Sequence, residues 1–301
     1  MAIGQIRKAL SGFYYVKSGD ALYQTRARGN FRKRRLAPLV GDRVEFSSTS
    51  PTDGYILAIQ KRHNQLKRPP VANVDQAVVV TSAVKPDFNS NLLDRFLVIL
   101  EAKEIQPLIY LTKTDLLDEA ALAKLTTTLA YYQKIGYPVF MAPDPYQADN
   151  IAALLRPFKD RLTVLTGQSG AGKSTLINHI APELQLQTAA VSESLSRGKH
   201  TTRHVELWPL ADGLVADTPG FSSLALTDLD LNTLGNLFPD FVALADQCKY
   251  RGCQHDHEPG CAVKAAVTAG ELLASRYENY LQFRTEKKAE KPVYMKEGRS
   301  K

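Results

Sequence analysis

The chain is short of several things that would settle its class at once. It has three cysteines in 301 residues, and Cys248, Cys253 and Cys261 all fall within one short window. An odd, clustered set argues against a disulfide framework and for a bound metal. No apolar run approaches the ~18 residues that a membrane-crossing helix needs, and residues 1–10 lack the apolar core of a secretory signal. There is no internal repeat and no low-complexity tract. These absences speak against membrane, secreted and repeat architectures, and the expected location is the cytoplasm. Acidic residues are scarce in the first fifth: residues 1–68 hold 14 Lys/Arg against 4 Asp/Glu, while the other 233 residues hold 24 against 27. The net charge of +7 therefore belongs to the N-terminal segment. A localised basic face suits a polyanionic partner, because Lys and Arg displace counterions from phosphates. The bland alternative is a surface charged for solubility.

What is present reads as a soluble globular protein of two or three domains, with 44% apolar and 23% charged residues. Residues 13–18 and 21–27 read as strands joined by a Gly19-Asp20 turn, and residues 43–47 and 54–60 as strands around a Pro51–Gly54 turn. Short strands without helix signals predict a small OB-like barrel over residues 1–68. Its basic loop holds Arg26, Arg28, Arg32, Lys33, Arg34 and Arg35 around Phe31, which either stacks on bases or packs inward. Lys67-Arg68-Pro69-Pro70 reads as a boundary. Beyond it, apolar strands at 76–82, 107–112, 162–166 and 213–217 alternate with helical patterns at 91–104 and 119–135. That alternation predicts a doubly wound α/β domain over 69–223. Residues 224–301 read as mainly helical.

Gly167-Gln168-Ser169-Gly170-Ala171-Gly172-Lys173-Ser174 fits the phosphate-loop pattern, with a strand before it and a helical run after it. The glycines let backbone N–H groups wrap phosphates, Lys173 reaches the β- and γ-phosphates, and the Ser174 hydroxyl holds Mg²⁺. Thr175 falls on the first helical turn beside the phosphates. Asp217-Thr218-Pro219-Gly220 ends a later strand; a carboxylate there serves Mg²⁺ and the Gly220 amide senses the γ-phosphate. Between them, Arg197–Arg203 supplies a threonine to close over Mg²⁺; spacing favours Thr202, with Thr201 the alternative.

Thr112-Lys113-Thr114-Asp115 follows a strand and resembles the guanine-reading N/T-K-x-D element. Asp115 would accept from guanine N1–H and the 2-amino group, which adenine cannot imitate. Lys113 would pack over the base and help tie the phosphate loop, and Thr112 stands where Asn is commoner. This element precedes the phosphate loop, whereas the ordinary order is the reverse, so the motifs are circularly permuted. Near the C-terminus, Cys248-x4-Cys253-x-His255-x5-Cys261 offers three thiolates and an imidazole, a set that suits a closed structural Zn²⁺ site, with His257 a nearby alternative ligand.

The stretches PLVGDRVEF (38–46), residues 91–116, TGQSGAGKSTLIN (166–178), RGKHTTRHVEL (197–207), DTPGFSSL (217–224) and ASRYENYLQF (274–283) resemble the RsgA (YjeQ/YloQ) family of ribosome small subunit-dependent GTPases. The resemblance runs over nearly the whole chain. It implies an OB-like barrel, a circularly permuted P-loop GTPase domain and a zinc domain. It also implies binding of GTP/GDP, Mg²⁺ and one Zn²⁺, and a role in late maturation of the small (30S) ribosomal subunit through its 16S rRNA, without DNA or membrane. A monomer is the default, as no oligomerisation signal stands out. Where a second base-contacting Ser-Ala or Ser-Ser pair is expected, this chain has Ala142-Pro143-Asp144. Phe221 follows DTPG where many small GTPases carry a water-orienting Gln, and Phe cannot hydrogen-bond water. His200 is then the candidate water-positioning residue, completed by the subunit. Two other readings compete: an RNA-binding module that holds GTP as a structural ligand, and a P-loop ATPase or kinase, against which residues 112–115 argue.

Overall fold

A computed structural model describes residues 1–29, 31, 36–67, 69–182, 205–217 and 225–290. The chain divides into two compact units, Met1–Phe88 with Lys103–Ser223, and Asn89–Ala102 with Leu224–Lys301.

The first unit begins with β1 (Ala2–Leu10), β2 (Phe13–Ser18), β3 (Ala21–Ala27), β4 (Arg43–Ser50) and β5 (Asp53–Ile59). They run in the order β1-β2-β3-β5-β4 and close through β1–β4 pairing into a five-stranded barrel. Ile6, Val16, Val44, Phe46 and Ile56 fill its interior, as the period of two along each strand requires. Phe31 is buried, so it is a packing residue. At the barrel's end Asp42, fully buried, takes a two-pronged pair from Arg62, Nε to Oδ1 and Nη2 to Oδ2, both at 2.7 Å. β6 (Gln65–Lys67) and β7 (Pro70–Ala72) form a hairpin across the Lys67–Pro70 stretch, and Ala72 N–H donates to Val40 O at 2.8 Å.

The chain continues with β8 (Gln76–Ser82), α1 (Ser90–Glu101), β9 (Gln106–Thr112), α2 (Glu119–Lys134), β10 (Val139–Phe140), α3 (Ala148–Leu155), β11 (Leu162–Gly167), α4 (Lys173–Ile180), β12 (Val205–Leu210) and β13 (Gly213–Asp217). The strand order β10-β9-β8-β11-β13 is parallel throughout, and β12 adds antiparallel to β13. Both faces of β8, β9 and β11 are buried, which is why they read as continuous apolar runs. Val78, Val80, Leu108, Tyr110, Leu165 and Val215 build the core on one face with α3 and α4 residues Leu154, Leu176 and Ile180. Barrel and sheet are continuous: β1 pairs with β4 over Ala2–Gln5 and with β12 at Lys8 and Ala9, and Lys8 Nζ meets the Glu206 carboxylate at 2.7 Å.

The second unit holds α1, α5 (Pro239–Ala245), α6 (Ala262–Thr268) and α7 (Ala274–Ala289). Helix α1, which in sequence interrupts the central domain at 69–223, therefore groups with the C-terminal helices. Its polar anchor is Asp94, fully buried, which accepts from the buried Arg276 Nη1 and from Asn279 Nδ2 at 2.7 Å. Arg276 Nε also donates to Asp240 at 2.9 and 3.1 Å, with the guanidinium over the Phe238 ring. Phe238, Phe241, Tyr280 and Phe283 form the apolar core around it.

Candidate functional site

At its carboxyl end β11 turns into the phosphate loop. Gly167 takes φ +138°, and a Cβ there would lie 2.0 Å from the Val80 carbonyl oxygen, so only glycine lets β11 end against β8. Gly170 and Gly172 also have positive φ, at +77° and +92°. Ala171 plugs the loop into the core below it, fully buried. Gly172 heads α4, whose first N–H groups have no partner within the helix and whose dipole puts its positive end at the loop. Lys173 Nζ donates to the carbonyls of Gly167 and Gln168, both at 2.8 Å, and burial lowers its pKa. Gln168, Ser169, Ser174 and Thr175 are exposed. The loop offers main-chain donors, a lysine and two hydroxyls toward solvent, which is a cradle for a polyphosphate.

The parallel strands β9 and β11 flank β8, so their carboxyl ends open on the same edge, where α/β sheets bind ligands. Thr112, fully buried at the end of β9, donates its hydroxyl to Ala171 O at 2.6 Å. Lys113 adopts φ +58° and donates Nζ to Gly170 O at 2.8 Å and to Lys85 O. Thr114 donates to Ala142 O at 2.6 Å, and Asp115 stands exposed in the single turn Thr114–Leu116. Two bonds therefore join residues 112–115 to the 167–174 loop across more than fifty residues of sequence. The hydroxyl of Thr112 makes one of them, so threonine in place of Asn keeps the tie. Sequence reading passed over Tyr146. Its ring stacks on His179 of α4 (4.1 Å between centroids, 12° between planes) and its hydroxyl lies 3.5 Å from where a Gly172 Cβ would be.

In the second unit the ligand atoms of Cys248, Cys253, His255 and Cys261 lie within 4.8 Å of one another. His255 Nδ1 is 3.6 Å from Cys248 Sγ and 3.4 Å from Cys261 Sγ. A tetrahedron with Zn–S bonds of ~2.3 Å has edges of roughly 3.7 Å, so the donor set fits such an ion. Burial and the adjoining thiols push Cys253 up to about 12, and burial holds His255 below its usual value. The Cys253 thiol thus resists ionising without a cation, while the imidazole stays in its neutral, ligating form. Tyr277 OH donates to His255 O at 2.8 Å, and Ala262 N–H donates to Cys248 Sγ at 3.3 Å. His257 is turned out beside Asp256 with its side chain 90% exposed, and is not one of the four.

Family models match on both sides of the barrel boundary: RsgA N-terminal domain over residues 3–56 and RsgA GTPase over 59–227. The chain belongs to the RsgA GTPase family. Members include the small ribosomal subunit biogenesis GTPase RsgA of Latilactobacillus sakei subsp. sakei, 58% identical over 98% of this chain and 99% of that protein. The RsgA of Enterococcus faecalis is 59% identical over 98% of each. Among solved structures, YloQ, a circularly permuted GTPase, matches with a TM-score of 0.83 at 46% identity, over 98% of this chain and 97% of that one. YjeQ from Thermotoga maritima matches with the same TM-score at 32% identity, over 96% and 99%. As an RsgA GTPase the chain is a GTP hydrolase, and its family implies GTP/GDP and Mg²⁺. Its elements occur in the permuted order, with residues 112–115 ahead of 167–174.

Asp217 closes β13, the neighbour of β11. Gly220, Phe221, the Arg197–Arg203 segment with His200, Thr201 and Thr202, and the basic residues Arg32–Arg35 and Arg68 lie outside the described residues. On the described part of the barrel, Tyr14, Arg26, Arg28, Phe31 and Leu36 line a groove of about 590 Å³, and Arg26 rests on the Phe13 ring at 4.7 Å. No helix among the described residues is long and apolar enough to cross a membrane.

Proposed function

We propose that this GTPase binds the small (30S) ribosomal subunit and assists its late maturation, with hydrolysis of GTP to GDP and phosphate stimulated by the subunit. The observation that carries the reading is the pair of bonds, Thr112 to Ala171 and Lys113 to Gly170, that unites the base-reading element and the phosphate loop in one site. The names of the relatives supply the subunit. In this reading Thr112, Lys113, Thr114 and Asp115 hold guanine, and residues 167–175 with Asp217 and Gly220 hold the phosphates. Ser174 and Thr202 ligate Mg²⁺, whose charge offsets that building on the phosphates during transfer. Lys173 neutralises the β- and γ-phosphates, and His200 positions the attacking water when the subunit is bound. Cys248, Cys253, His255 and Cys261 hold a structural Zn²⁺. The barrel's basic groove contacts 16S rRNA by phosphate pairing and stacking. Residues 1–68, 69–223 and 224–301 act as the RNA-binding, GTPase and zinc modules of a cytoplasmic monomer.

Phe221 favours one second reading, an rRNA-binding assembly module that GTP regulates with little turnover. Phosphate release from GTP, with ATP as control, with and without purified 30S subunits, separates the two. GTP-selective stimulation supports the enzyme. Binding without stimulation leaves the regulated module.

A further inference from the structure

A groove of about 760 Å³ runs between the outer face of the barrel and the amino edge of the central sheet, and all of its lining belongs to the first unit. On the sheet side it is lined by Asp75, Leu162 and Gly213, where β8, β11 and β13 begin. The phosphate loop leaves the other end of β11, roughly 17 Å away at ~3.3 Å per residue. The groove shares no lining residue with the one around Arg26. On the barrel side, Arg43, Gln5, Lys17 and Leu22 stand in register across β4, β1, β2 and β3. Their neighbours Val44, Ile6 and Val16 are buried in the barrel, so this row faces outward. Arg7 extends it. β1 leaves β4 after Gln5 and meets β12 at Lys8, and its register against β2 slips between Ile6 and Lys8. Arg7 is the extra residue of that bulge, a device that re-aims a side chain, and it lines the groove.

Arg7 is half-buried, yet among the described residues no hydrogen bond or ion pair reaches its guanidinium, and its Nε is shut away without an acceptor. Burial lowers its pKa, with no carboxylate to offset the effect. Elsewhere the chain pairs such groups: Arg62 with Asp42, Arg95 with Glu286, and Arg276 with Asp94 and Asp240. A half-buried charge without a counter-ion costs free energy, which a ligand anion would offset. The groove's carboxylates come from the sheet side. Glu206 is taken by Lys8, and Asp75 accepts the Leu162 N–H at 2.6 Å, while Asp160 and Asp212 are exposed. The barrel side thus offers three cations and no acid. Trp208, the one tryptophan of the chain, is also half-buried in the lining.

We propose that this groove seats a single-stranded RNA segment, with its phosphates on Arg7, Arg43 and Lys17 and its bases toward the Trp208 and Asp212 wall. Arg43 and Lys17 stand two strands apart, about 10 Å at the backbone. Cations spread along a row suit a chain of phosphates better than a single anion. The mixed walls select a single strand: its phosphates meet the barrel, and the amino groups of its bases meet the exposed carboxylates. A second row of phosphates, or an acidic peptide, would be repelled at Asp160 and Asp212. The groove adds a second contact surface to the rRNA reading above, and it rests on that reading only for the choice of RNA over DNA.

The test is titration of the full chain with a short oligocytidylate, which carries no guanine for the nucleotide site, read by Trp208 emission over a range of salt. The parent should bind with a change in emission. Arg7→Gln should lower the affinity about tenfold at low salt, the scale of one charge-assisted hydrogen bond. It should also make the slope of log affinity against log salt shallower by about 0.7, and adding Arg43→Gln should roughly double that change. The thermal midpoint of Arg7→Gln should hold or rise, since an unpaired cation is removed. Arg26→Gln should leave the Trp208 signal in place. An Arg7→Gln protein with the parent's affinity and salt slope overturns the inference, and a lowered midpoint at parental affinity assigns Arg7 to the fold instead. No binding by the parent overturns it too, as does binding that leaves Trp208 emission unchanged and is lost in Arg26→Gln. Cytidine monophosphate that shifts the emission at the same concentrations as the oligomer would make this a free-nucleotide site and overturn the strand reading.

Discussion

The bond from Thr112 to the phosphate loop makes a sharp prediction. Thr112→Val keeps the shape of a fully buried side chain and removes its hydroxyl, so no cavity opens at the end of β9. What is lost is the 2.6 Å bond to Ala171 O, whose carbonyl is held at the hinge of the loop; the longer approach to Thr81 O, 3.3 Å, contributes little. Leaving a buried acceptor without its donor costs about 1–3 kcal/mol. If that cost falls on the conformation of the loop that binds phosphates, nucleotide affinity falls by about five- to 150-fold. Thr112→Ser, which retains the hydroxyl, should keep most of the affinity. The assay is titration of the full chain with a fluorescent GDP analogue, read beside thermal unfolding of the same samples. A Thr112→Val protein that binds GDP like the parent would refute the claim that this bond organises the loop. A lowered thermal midpoint with unchanged affinity would assign the bond to folding of the sheet edge alone.

Other consequences are as direct. Prolonged chelation of Zn²⁺, or Cys261→Ser, should unfold the region around residues 248–261 and abolish the bound zinc read by elemental analysis, while GDP binding by the first unit persists; a native C-terminal unit after complete metal removal would sink the assignment. Asp42→Ala should destabilise the barrel by about 3–5 kcal/mol in urea unfolding, because it strands the Arg62 guanidinium against Ala37 O without a carboxylate. His200→Ala should keep GTP affinity and lose most of the subunit-stimulated phosphate release; full stimulation would remove His200 from the mechanism.

Which elements could be read from the sequence follows from how local their causes are. The strands at 13–18, 21–27 and 76–82 were bounded to the residue, because alternation or a continuous apolar run is a local signal. β1 was missed: its residues serve two partners, and Ile3 is 58% exposed, which blurs the period. β12 is not among the strands read from the sequence, and Pro209 within it is a residue that argues against a strand. The structure shows why proline is tolerated there. β12 pairs with β1 only at Val205 and Glu206, and Leu214, opposite Pro209 on β13, gives its own N–H to Arg161 O. No ladder bond asks for the missing donor. The cysteine cluster was legible because its ligands sit within fourteen residues of each other. The tie from Thr112 to Ala171 spans 59 residues and depends on strand order, and Tyr146 carries no motif at all. Phe31 had two readings that only burial could separate.

Strand order also explains why permuting the chain leaves the site whole. The site needs particular carboxyl ends side by side, and β9, β8, β11 and β13 are four consecutive neighbours in the sheet. They bring residues 112–115, the turn with Lys85, the phosphate loop and Asp217 to one edge. Which strand comes first along the chain does not enter that geometry. It does decide where the chain leaves the sheet. The second unit is reached twice, after Ser82 through α1 and after Asp217 toward the C-terminus, and both departures start from carboxyl ends that carry the site. Lys113 already bonds to one of these departures, at Lys85 O. On the proposed reading, a nucleotide that drew Lys113 onto its base would compete with that bond and so alter residues 83–88. Lys113→Met should therefore weaken GDP binding, and it should also leave hydrogen exchange of residues 83–88 insensitive to added nucleotide. Protection there that still changes on GDP addition to the variant would show that the signal travels by another route.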